Sequence, residues 1–136
     1  MLFLAVLLAA APTPVDVTIP AELRAVSCQP ELSGLTWVPS LSRYLVLSDD
    51  TGLLDTPSWH APWVYAFDAE GRFDAAPIVL EGIATLDDAE SLTPGPDGTL
   101  FLTTSHSLTL KGKSKPPRRQ LLWLTVSGRR LVVKSW

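Results

Sequence analysis

"SGLTWVPSLSRYLVLSDD" (33–50) and "ESLTPGPDGTLFLTTSHS" (90–107) superimpose without a gap when the chain is shifted by 57 residues. Identities fall at Leu35/Leu92, Thr36/Thr93, Pro39/Pro96, Leu45/Leu102 and Ser48/Ser105, with Tyr44 over Phe101. The same offset continues through Leu53/Leu110 to Gly71/Gly128 and Arg72/Arg129. Identities at turn and strand positions, with no gap needed, mark an internal repeat rather than chance.

Each copy reads as a strand meander. "LSGLTWV" (32–38) and "RYLVLS" (43–48) are β-rich runs joined by a short Pro-Ser-Leu-Ser turn, and the second copy turns through "PGPDG" (94–98). A long loop follows in both copies, then "WVYAF" (63–67) and "QLLWLTV" (120–126), then a glycine turn, then "PIVLEG" (77–82) and "RLVV" (130–133). Beyond the amino-terminal run, no ten-residue segment free of Pro and Gly has helical periodicity. The expected class is all-β, with four-stranded antiparallel meander repeats at 15–82 and 83–136. Four antiparallel strands per repeat is what a propeller blade requires, and a ring needs about four to eight blades. Two repeats therefore predict a partial β-propeller of two blades. They could instead belong to a longer protein, assemble with other blades, or pack as a small β structure of another kind.

"MLFLAVLLAAAP" opens the chain with an apolar run about half as long as a spanning helix, followed by small residues and prolines. Residues 1–14 are read as a secretory signal peptide, which predicts a periplasmic or secreted protein with no stable membrane span. Cys28 is alone, which rules out an intrachain disulfide, a Cys-rich zinc site and a CxxC redox pair.

Charge is divided along the chain. Residues 1–97 hold all fourteen carboxylates and three arginines, a net of −11, whereas residues 98–136 hold eight cations and no carboxylate. In an antiparallel meander the start of the first strand, the end of the second and the start of the third share one end of the sheet. Glu31, Asp49 and Asp50 therefore gather at a rim of the first repeat. Asp87, Asp88, Glu90, Ser105, His106 and the loop "KGKSKPPRR" (111–119) gather at the same rim of the second.

The second repeat, "DAESLTPGPDGTLFLTTSHSLTLKGKSKPPRRQLLWL", resembles a bacterial exported β-propeller family of unknown function. Its members show an Asp-x-Glu-Gly start, a Ser-His-Ser strand end, a Lys-Gly-Lys loop and an Arg-Arg-x-Leu strand entry. Asp88, Glu90, Ser105, His106, Ser107, Lys111, Gly112, Lys113, Arg118 and Arg119 fall on that pattern, and Ser91 departs from it by standing in place of Gly. The first repeat is similar to the opening blade of related esterase-like phytase propellers. The resemblance spans about residues 31–126 and implies a propeller without settling an activity.

The rim residues admit several chemistries. Glu31, Asp49, Asp50, Asp88 and Glu90 are hard oxygen ligands of the kind Ca²⁺ collects, against the plainer role of solvated or salt-bridged charges. His106 and Glu90 are the candidate catalytic pair, with a structural polar network as the alternative. Lys111, Lys113, Arg118 and Arg119 form a candidate anion site, unless they neutralise Asp87, Asp88 and Glu90 on the same rim. His60, flanked by Trp59 and Trp63, could line an aromatic surface or be buried over the blade edge.

Other signatures fail. "GKS" at 112–114 is not a phosphate loop, because Ser107 stands where its first glycine belongs and Pro116-Pro117 blocks the helix that should follow. No GxSxG, HExxH or EF-hand loop occurs. Nucleic acid fits poorly as a partner, because the basic loop lacks interleaved aromatics and the chain reads as exported, so none is expected. The sequence thus points to an exported module binding a small anionic ligand or further propeller blades. The competing classes are a phytase-like phosphoester hydrolase using Ca²⁺ and the rim carboxylates, and a structural fragment that assembles with other blades.

Overall fold

The computed structural model of the protein describes residues 14, 16–26, 31–48, 61–108, 111–113 and 116–134. All of the signal-peptide reading except Pro14, together with Cys28, Asp49, Asp50 and His60, lies outside them. The first meander comprises β1 (Leu32–Val38), β2 (Arg43–Ser48), β3 (Trp63–Phe67) and β4 (Ile78–Glu81). The second comprises β5 (Ala89–Pro94), β6 (Leu100–Thr104), β7 (Leu121–Ser127) and β8 (Arg130–Val133). One short helix, α1 (Ala21–Val26), precedes them. Among the described residues, no helix is long and apolar enough to cross a membrane.

Within each meander, neighbouring strands pair antiparallel. The two meanders join through their fourth strands, β4 and β8, which run parallel with Leu80 opposite Leu131 and Glu81 opposite Val132. The result is an eight-stranded mixed sheet in the order β1-β2-β3-β4-β8-β7-β6-β5. Its free edges, β1 and β5, also approach each other, so the sheet is nearly closed into a barrel. Here Ser33 Oγ donates to the Ala89 carbonyl at 2.6 Å. A Cβ on Gly34 would lie only 2.7 Å from the Leu92 nitrogen, so Gly34 permits a backbone approach closed to any other residue.

The core lies between the meanders. Leu45, Leu47, Val64, Ala66 and Leu80 of the first face Leu92, Leu102, Leu122, Leu124 and Leu131 of the second in one cluster. A fully buried leucine contributes about 1.5–3 kcal/mol, which makes this shared layer the dominant stabilising element. A smaller cluster covers the outer face of the first meander, where Leu23 of α1 and Ile19 pack on Val46, Tyr65 and Phe73. On that same face Trp37, Tyr44, Phe67 and Phe73 form a run of ring contacts, with centroids 4.9, 5.3 and 5.2 Å apart. In the second meander Phe101 stacks on Trp123, with Lys134 Nζ 4.2 Å from the Trp123 ring.

The repeat is not superimposable throughout. Gly71 and Gly128, which the 57-residue offset pairs, both sit in the third turn with positive φ, 80° and 57°. In the first strand, however, Leu35 is 52% exposed while Leu92 is 4% exposed. Buried Thr36 pairs with Leu45, and Leu92 pairs with Leu102, so Thr36 occupies the place of Leu92. A one-residue slip exchanges the two faces of a strand, and it originates in the first turn, which spans four residues (39–42) in the first meander and five (95–99) in the second. The last turn also differs. β7 and β8 join through a tight turn with Ser127 opposite Arg130, whereas the first meander interposes a Phe67–Phe73 bridge before β4 begins.

Candidate functional site

Strand directions place the start of β1, the end of β2, the start of β5 and the end of β6 at one rim, as the meander reading expects. Ser48 Oγ accepts the Glu31 N–H at 3.0 Å, and the Asp88 carbonyl accepts the Ser105 N–H at 2.9 Å. The loop after β6 returns to this rim through a single helical turn at Pro116–Arg118. It is held there because His106 N–H donates to the Arg118 carbonyl at 2.8 Å and Gln120 N–H to Thr104 Oγ1 at 3.0 Å.

A compact polar network forms at this point. Asp88 Oδ2 accepts hydrogen bonds from Ser105 Oγ at 2.5 Å and Ser107 Oγ at 2.8 Å. Arg118 sends Nε to Asp87 Oδ1 at 3.1 Å and Nη1 to Ser107 Oγ at 3.0 Å, with Nη1 also 3.1 Å from Asp88 Oδ2. Ser105 Oγ in turn accepts the Ser107 N–H at 3.1 Å. The Asp87 side chain is 3% exposed and that of Arg118 25%. A carboxylate withdrawn this far from water requires a charged, hydrogen-bonded partner, and Arg118 supplies it. Of the two roles open to Arg118, the structure shows the internal one.

Two residues of this rim have left-handed backbones without being glycine, Asp88 at φ 62° and His106 at φ 57°. Such conformations cost about 1–3 kcal/mol each and persist where the surroundings over-determine them. The bonds from Ser105, Ser107 and Arg118 provide that constraint. The His106 ring lies with Nδ1 2.9 Å from the Thr104 carbonyl, an acceptor only, so Nδ1 carries the proton. In the neutral ring, Nε2 then holds the lone pair, and the residue is exposed. Lys111, Lys113 and Arg119 are exposed on the same returning loop.

Glu90 is exposed near the start of β5, and Glu31 is exposed just before β1. Among the described residues, no three His, Cys, Asp or Glu side chains converge to hold a metal ion. Asp88 is poorly suited to hold calcium, since a guanidinium already lies against the oxygen a cation would need. Asp49 and Asp50 fall outside the described residues. Neutralisation of Asp87 by Arg118 is one of the two roles the sequence offers for the basic loop, whereas the bonds from Ser105 and Ser107 to Asp88 are site features that strand patterning does not single out. The Ser-x-Ser spacing around His106 was their one local sign.

No known family profile, curated protein or solved structure matches this chain.

Proposed function

We propose that the protein is an exported propeller-type module whose two meanders are blades and whose basic rim, 105–119, binds an anionic ligand or partner. The observation that carries this reading is the braced rim network. Arg118 is neutralised internally by Asp87 and Asp88, and in that role it fixes the loop bearing exposed His106, Lys111, Lys113 and Arg119. Preorganised cations lose little freedom on binding, and Arg matches an oxyanion in bidentate fashion. The blade interpretation is supported by the four-stranded antiparallel form of each meander and by the approach of first strand to first strand.

Tripolyphosphate is a suitable probe because its charges span several cations. Titration followed by calorimetry is expected to show saturable binding that weakens steeply with salt. Binding should fall at least tenfold in a Lys111→Ala, Lys113→Ala, Arg119→Ala variant and persist in Arg72→Gln, an exposed cation at the other end of the sheet and outside any cleft between the meanders. Absence of binding, or binding indifferent to the triple substitution, refutes the reading. Release of orthophosphate from the probe would replace binding by hydrolysis as the function of this rim.

A further inference from the structure

The opposite end of the barrel holds a second charged constellation, assembled from both repeats. Asp74, which follows the glycine turn of the first meander, lies between two arginines. Arg43 at the start of β2 donates Nε to Asp74 Oδ1 at 3.2 Å, and Arg129 in the β7–β8 turn places Nη2 2.8 Å from Asp74 Oδ2. These three residues, with Ser40, Leu41 and Ile78, line a cleft of about 210 Å³ where the two meanders meet. At roughly 30 Å³ per water molecule, that is room for a phosphate-sized group and a small substituent.

Stoichiometry and geometry distinguish this cleft from a simple ion pair. One carboxylate faces two guanidiniums, so the triad keeps one net positive charge. Asp74 is the sheltered member, its side chain 14% exposed, while those of Arg43 and Arg129 are 33% and 56% exposed. Arg43 commits a further donor, Nη1, to the Ser42 carbonyl at 2.9 Å, against the five N–H groups each guanidinium carries. Asp74 Oδ2 is buried and receives no aligned N–H, so its contact with Arg129 is one of charge rather than of directed hydrogen bonding. The carboxylate thus anchors both arginines, and both line the cleft.

We infer that this cleft is a binding site for a small oxyanion, a phosphate or carboxylate group, clamped between Arg43 of the first repeat and Arg129 of the second. Two positioned guanidiniums offer parallel N–H donors to an anion carrying two or more oxygens. Because the arginines come from different repeats, the bound anion also ties the meanders together at the end remote from the 105–119 rim.

The test uses the full chain with arginine Nε–Hε resonances observed by NMR, adding sodium phosphate or sodium acetate against sodium chloride at equal ionic strength. Saturable movement of the Arg43 and Arg129 signals is expected with at least one oxyanion, and the two arms tell phosphate from carboxylate. Arg129→Gln should weaken the affinity at least tenfold, and Arg129→Lys, which keeps the charge but not the fork, should weaken it less. Lys111→Ala with Lys113→Ala should leave it within twofold, which separates this site from the basic rim. If Arg129→Gln does not fold, Arg129→Lys carries the comparison. Signals that stay fixed with both anions, or an affinity indifferent to Arg129, overturn the inference and leave the triad a structural brace.

Discussion

Gly34→Ala probes the closest contact between the two meanders. The added Cβ would lie 2.7 Å from the Leu92 nitrogen, 2.8 Å from Ser91 Cα and 3.0 Å from the Glu90 carbonyl oxygen. All three are backbone atoms, so no side chain can rotate away. Comfortable carbon contacts begin near 3.5 Å, so β1 and β5 must part by about 0.5–1 Å. Overpacking of this kind costs about 1–3 kcal/mol. Separation also stretches the 2.6 Å bond from Ser33 to the Ala89 carbonyl, a contribution of about 1 kcal/mol. Together these predict a loss of about 2–4 kcal/mol, which for a domain of this size lowers Tm by roughly 10 °C. Thermal unfolding followed by far-UV circular dichroism measures it, with Ser33→Ala as the control that removes the hydrogen bond alone. A Tm for Gly34→Ala within about 2 °C of the parent, or no lower than that of Ser33→Ala, would show that the sheet edges do not meet as described.

Three further outcomes follow from the same coordinates. Leu92→Ala should cost about 2–4 kcal/mol in denaturant unfolding while Leu35→Ala costs under about 0.5, although an ungapped repeat makes the two leucines equivalent; equal losses would contradict the one-residue slip. Arg118→Gln should destabilise the fold by about 2 kcal/mol or more by withdrawing the guanidinium from Asp87, and the His106 and Ser107 amides should exchange faster with solvent; unchanged stability and exchange would show that the network does not brace the rim. Asp68 accepts the backbone N–H groups of Arg72 and Glu70 and the Arg72 guanidinium at 2.7 Å. These contacts, with the Arg72 N–H foremost, hold its carboxyl below the ordinary value of 3.8. A lowered folded-state value means the stabilisation is complete above that ordinary value and fades as pH falls through the lower one. The stability difference between the parent and Asp68→Asn should therefore be flat from neutral pH to about pH 5 and shrink below about pH 4; a difference that grows on acidification would reverse the assignment.

Much of the secondary structure was legible in local pattern. "LSGLTWV", "RYLVLS" and "WVYAF" coincide with β1, β2 and β3, because short runs rich in aliphatic, β-branched and aromatic residues bounded by turn signals declare a strand before any partner is known. Turn chemistry was equally local, and Gly71 and Gly128 adopt the left-handed backbone that only glycine accepts at little cost. Antiparallel succession by itself brought the start of β1 to the end of β2 and the start of β5 to the end of β6, and so set Asp87 and Asp88 near the basic loop, whereas the sharing of one rim by the two meanders depended on the parallel β4–β8 seam.

Which face of a strand meets the core is another matter. Leu35 and Leu92 are the same residue in the same sequence context, yet only Leu92 is buried, because burial depends on the register taken against a neighbouring strand. The parallel β4–β8 seam, the Gly34 contact, the Asp87–Arg118 pair and the Arg43–Asp74–Arg129 triad each join residues far apart in the chain. No local preference specifies them. The sequence by itself determined strands, turns and the sorting of charge to a rim, since these arise from backbone sterics and from alternation within a few residues. Tertiary structure alone decided that Arg118 turns inward to Asp87 and Asp88 while Arg43 and Arg129 border a cleft, since only the packing of the two meanders against each other sets how far a charge sits from water and from its partner.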